Sequence, residues 1–271
     1  MERYLNAPIK ELITKFPKLA DILNEYNIGC VPCNVGSCLL KDIVEIHNLS
    51  LEDEAKLLRR IAQVIYPGQK VEIPKLKRKP PAALDEIKYS PPVKKLVDEH
   101  TLIKRLLSLI PLVVESLDLK SEEAGQMILG GVDFIRSYAD KYHHAKEEEV
   151  LFKYFDQNLD ILKTMLIDHD TGRNHVKAIL EGLEKKDKKM VIEHLSGYKD
   201  LLSEHIKKED EILYPWMERN LSINQIGELF RKFQEADEKT GEVVPRKCEE
   251  FIEKLEIRFG VNLNIKNQNS K

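Results

Sequence analysis

Two ten-residue stretches of this chain read alike, and together they constrain its fold more than any other feature. One is His143-His144-Ala145-Lys146-Glu147-Glu148-Glu149-Val150-Leu151-Phe152; the other is His205-Ile206-Lys207-Lys208-Glu209-Asp210-Glu211-Ile212-Leu213-Tyr214. Aligned without gaps, they share a leading His, a Lys three later, a Glu four later, then further acids, a branched aliphatic, Leu and an aromatic. A His and a Glu four apart share one face of a helix, one turn from each other. Two such imidazole–carboxylate pairs on two helices are half of a dinuclear metal site in a helical bundle.

The rest of the chain supplies candidates for the other half. Periodicity and breakers predict four long helices: from about Val93 to Leu119, from Ser121 to about Gln157, from the turn at Asn158–Asp160 to about Lys185, and from Asp187 to about Asn220. Short connections make neighbouring helices antiparallel. His100, in Val97-Asp98-Glu99-His100, lies on the first helix, and His169, in the related Ile167-Asp168-His169, on the third. His100 lies about 20 residues before the first turn and His143 about 22 after it. Glu147 lies about 11 before the second turn and His169 about 10 after it. His169 lies about 17 before the third turn and His205 about 19 after it. At roughly 1.5 Å per residue, all six positions fall within a turn or so of one height. His144 with Glu148 keeps the same spacing as His143 with Glu147 and is its rival in register, and alignment of the two stretches favours the latter pair. His144 and Glu148 are then candidates for an outer shell, as are Tyr138 and Tyr142, which approach from the preceding turn. Imidazole and carboxylate without thiolate suit iron or manganese better than a structural zinc.

The order His, then His-x-x-x-Glu, then His, then His-x-x-x-Glu resembles the hemerythrin-like (HHE cation-binding) family across about residues 91–220. The resemblance implies an antiparallel four-helix bundle in which His100, His143, Glu147, His169, His205 and Glu209 bind a non-haem di-iron centre, oxo- or hydroxo-bridged, with both Glu bridging. It implies a small diatomic ligand such as dioxygen or nitric oxide, or a peroxide. Oxygen-carrying members usually have a second third-helix His four residues on, where this chain has Arg173; His175 is six on and turned off the face. The chain therefore resembles the four-His subset, linked to stress response, nitric-oxide chemistry and iron–sulfur cluster repair. An iron–sulfur acceptor or a redox partner protein is an implied partner. Sensing and iron storage or delivery are the alternatives to turnover.

The whole chain is expected to be all-α. Residues 1–66 read as a small helical domain in which Pro17 splits one apolar pattern into two short helices and Ser50 caps a later one. Residues 67–90 are a proline-rich linker, residues 91–260 the bundle with a helical extension, and residues 261–271 a polar tail. Cys30, Cys33 and Cys38 fall within nine residues. That spacing admits partly buried thiols, a Cys30–Cys33 dithiol–disulfide pair, or a further metal site. The stretch around them also resembles a short cysteine-containing domain often found beside hemerythrin-like bundles. A net charge of −3 gives no general attraction to nucleic acid or anionic membranes. The opening residues carry acids and lack an apolar core, so a cytoplasmic location is expected.

Overall fold

The computed structural model of the chain describes residues 1–26, 28, 39–74, 76 and 88–261. These residues are helical, with no β-strand among them. They fall into two compact units, one comprising Met1–Tyr89, Gln157–Thr164 and Asp210–Asn220, the other Ser90–Asp156, Met165–Glu209 and the chain from Leu221.

The first unit contains α1 (Glu2–Leu5), α2 (Ile9–Lys15), α3 (Lys18–Glu25), α4 (Leu40–Ile46) and α5 (Leu51–Ile65). Pro17 separates α2 from α3, and the Ser50 side chain accepts the Asp53 backbone N–H at the head of α5. Leu12, Leu19, Leu23, Leu40, Val44, Leu57 and Ile61 close a core of their own. Arg60 clamps both oxygens of Glu25 at 2.5 and 2.7 Å. Cys30, Cys33 and Cys38 lie outside the described residues, as do half of the expected linker and most of the polar tail.

Most of the length of the four expected helices lies in the second unit. The first, α6, runs Pro91–Ser116. The second is composite: α7 (Glu122–Phe134), a π-helix over Ile135–His144, α8 (Ala145–Glu149) and a 3-10 turn at Leu151–Tyr154. The third, α9, runs Asp160–Glu184; the fourth is α10 (Lys188–Lys208), followed by a π-turn at Glu209–Leu213 and α11 (Tyr214–Asn220), and of these residues 160–164 and Asp210–Asn220 are counted with the first unit. Ser121 and Asp187 cap α7 and α10 by accepting the N–H of Ala124 and Met190. His100, near the start of α6, meets His143, near the end of the second helix, so that pair runs antiparallel. His169 and His205 report the same for α9 and α10.

Periodicity predicted uninterrupted second and fourth helices. The two π segments are the difference: the first ends on His143 and His144, and the second begins at Glu209. At Ala145 the backbone N–H reaches back to the carbonyl of Asp140, the wider i→i+5 closure. Such a turn rotates successive side chains through a smaller angle than an α-turn, so His143 and His144 both face inward.

Two further helices, α12 (Ile223–Thr240) and α13 (Val243–Arg258), complete this unit. They are two because Gly241, at φ 70°, turns the chain through a conformation that side chains rarely adopt. Cys248, Ile252 and Leu255 of α13 enter the bundle core. A Cβ on Gly130 would overlap the Phe251 ring, so the absence of a side chain lets α13 seat against α7. Arg105 ties α6 to α13 through Glu249 and Glu256.

Candidate metal centre

The structure brings His100, His143, Glu147, His169, His205 and Glu209 to one level inside the bundle, each 2% exposed or less. His144, 5% exposed, joins them. Ligand atoms gather in two groups: His144, Glu147, His169 and His205; and His100, His143 and Glu209. The rings present Nε2 to one another, at 2.9 Å for His100 and His143 and 3.1 Å for His169 and His205.

The two glutamates stand between the groups. Glu209 directs Oε1 to His205 Nε2 at 3.2 Å and Oε2 to His100 Nε2 at 3.3 Å. Glu147 Oε2 lies 3.5 Å from His169 Nε2 and 3.8 Å from His143 Nε2. Both oxygens of Glu209 are buried without a hydrogen-bond partner. A buried carboxylate in that condition costs several kcal/mol unless a cation meets it. Inward-facing imidazole nitrogens around orphaned carboxylate oxygens are the donor set that fits a metal ion.

The outer faces of the rings are held by acids. Glu99 Oε2 lies 2.9 Å from His143 Nδ1, Glu148 Oε1 2.7 Å from His169 Nδ1, and Asp168 Oδ2 3.4 Å from His205 Nδ1. A carboxylate on Nδ1 leaves Nε2 as the inward donor atom. Lys146 and Lys208, each three residues after a leading His, bind Glu99 and Asp168 respectively. The site is thus two copies of one half. In each, an acid just before the His of one helix holds the leading His of the next, and a lysine one turn on holds that acid.

The halves differ in depth. Lys146 is 2% exposed, lies 3.5 Å above the Tyr142 ring and also reaches Asp237 of α12 at 3.0 Å. Burial pushes Glu99 up to about 7 although Lys146 opposes it. Asp168 is pulled the other way: burial raises it, but His205 and Lys208 outweigh burial and hold it below the ordinary carboxylate range. Burial, with His169 beside it, pushes His144 down to about 3, so it is a neutral donor at physiological pH.

Among the other sequence candidates, Glu148 orients His169 and is itself bound by Arg173 at 2.6 Å. The Tyr142 ring lies under Lys146, and Tyr138 stacks on Tyr142 with ring centroids 5.3 Å apart. His175 pairs with His194, Nδ1 to Nδ1 at 3.1 Å, away from the site. Cys248 is a buried core residue with Ser137 Oγ 3.7 Å from its sulfur. Sequence reasoning missed the roles of Glu99, Asp168, Lys146 and Lys208. The signal was present in the related Glu99-His100 and Asp168-His169 pairs and the shared Lys of the two stretches.

An all-α bundle with buried imidazoles and carboxylates at one level defines a helical metal-binding domain. Residues 92–217 match the family model of the hemerythrin HHE cation-binding domain, and this part of the chain is a domain of that family. No curated protein and no solved structure matches the chain. No helix among the described residues is long and apolar enough to cross a membrane.

Proposed function

We propose that the bundle holds a dinuclear non-haem iron centre that binds and reduces a small oxidant, either dioxygen, nitric oxide or a peroxide. The observation that carries this reading is Glu209, whose two buried oxygens face His205 of one group and His100 of the other. Five imidazoles and two carboxylates would hold the ions with about nine donor atoms, fewer than two ions of this kind usually take. The positions left over are where a small ligand would bind. When bound, iron supplies Lewis acidity and single-electron steps.

The chain's own contribution is orientation and charge. Glu99, Glu148 and Asp168 fix three rings, and Lys146 and Lys208 balance the acids behind two of them. Phe152, 1% exposed, lies parallel to His169, with planes 10° apart, and keeps water from that flank. The test is metal analysis of protein purified without oxygen from iron-replete cells, followed by consumption of nitric oxide or hydrogen peroxide under a reductant. Two irons per chain with turnover are expected; two irons without turnover would leave a sensor or a store.

A second reading, delivery of iron to an iron–sulfur acceptor, is favoured by the three closely spaced cysteines of a chain we place in a reducing cytoplasm. Replacing Cys30 and Cys33 by Ser should slow re-reduction of the centre or transfer of its iron. Both rates unchanged would remove the thiols from the mechanism.

A further inference from the structure

A cavity of about 220 Å³ opens onto the His144 and His169 side of the site. It lies between the π-helix, α9 and α10, with Ile135, Val176, Tyr198 and Leu202 as its apolar wall. Arg136, Arg173 and Lys177 line it too, against a single acid, Asp140. Arg173 is already committed to Asp140, Glu148 and Asp170. Arg136 and Lys177 are exposed and have no ion pair among the described residues.

The size and charge of this space do not suit a diatomic molecule alone. A water occupies about 30 Å³ of liquid, and an apolar cavity of about 150 Å³ holds benzene. The space here therefore takes an aromatic ring or a short acyl chain with a few atoms over. Its apolar wall favours such a body, and two uncommitted cations favour a negative charge.

We propose that the cavity binds a small organic anion, an apolar body of about the size of benzoate bearing one carboxylate. The carboxylate meets Arg136 and Lys177, and the body lies against the imidazoles of His144 and His169. The effect on a metal held by those imidazoles rests on the function proposed above; binding in the cavity does not.

The test uses benzoate on the full chain, metal-loaded and metal-free, with benzyl alcohol as the neutral comparison. Affinity is read by calorimetry, and the optical bands of the loaded protein report whether the anion reaches the centre. Benzoate should bind both forms, at least about tenfold more tightly than benzyl alcohol, and should shift the bands. Arg136→Glu with Lys177→Glu should weaken it about tenfold or more while metal content and melting temperature hold. Val176→Phe, which fills the apolar wall, should abolish binding. Equal binding of acid and alcohol, no effect of the charge reversal, or undiminished binding in Val176→Phe would each overturn the proposal; binding to the loaded form without any change in its bands would overturn the placement of the body against His144 and His169. A chain that retains no metal yet binds benzoate in a Val176-dependent way would sink the dinuclear reading and leave the cavity proposal standing.

Discussion

His144 lies flat on His169, with ring centroids 3.9 Å apart and planes 15° from parallel. The two rings come from different helices and belong to the same group of ligand atoms. His144→Phe keeps the stacked ring and removes the nitrogens. Metal content is predicted to fall from about two ions per chain toward one, since a lost donor weakens the four-residue group and spares the other. Unchanged content and unchanged affinity for both ions would make His144 a packing residue.

Metal should stabilise the bundle. Glu209 is buried with both oxygens orphaned, and a cation that binds only the folded state adds about 2.7 kcal/mol at a free concentration one hundred times its dissociation constant. The chelated protein is expected to melt at a lower temperature than the loaded one, and Glu209→Ala to shrink the gap. Identical calorimetric melting curves with and without metal would contradict this.

Lys146→Met should be costly, because Glu99 then loses the buried cation that binds it. Breaking such a pair costs on the order of 3–5 kcal/mol when the remaining charge cannot escape. Glu99, already pushed up to about 7, escapes at low pH by keeping its proton. The loss in urea-unfolding free energy is therefore expected to be larger at pH 8.5 than at pH 6. Adding Glu99→Gln should recover part of it at the higher pH.

His47, between α4 and α5, gives the first unit an acid sensitivity. Burial holds its folded-state value down at about 4, against an ordinary 6.5. The unfolded chain takes up a proton below about 6.5 while the folded chain does not, so stability is fully present above that pH and declines as pH falls toward 4. The ceiling on this loss is about 3 kcal/mol, and partial exposure of the ring reduces it. In His47→Gln the difference in unfolding free energy between pH 7 and pH 5 should shrink; an unchanged difference would refute the assignment.

Much of the site could be read from the sequence because α-helical rise is constant. His100, His143, Glu147, His169, His205 and Glu209 could be brought to one height by counting residues from the turns. His144 could not be placed with them, because its inward position depends on the π-helix over Ile135–His144. No residue type in that segment announces the wider turn; packing against the neighbouring helices selects it. The same limit hid the roles of Glu99 and Asp168. Each precedes a His in its own helix but holds the ring of a His on another, a relation that exists only once the helices meet. Four of the domain's helices were legible from caps and breakers at Ser121, Asp187 and the turn residues between them. The cysteines near Gly29 carry a pattern with three readings, and no local rule chooses among them.

Because the centre is one half-site used twice, the molecule contains its own control experiment. Lys146 with Glu99 and Lys208 with Asp168 are the same ion pair behind equivalent histidines, with side-chain exposures of 2% and 7% in one and 27% and 14% in the other. Deleting either lysine removes the same chemistry from the same relative place. The difference between the two losses would then measure how strongly nearby water dampens a charge, inside a single chain and without reference to any second protein.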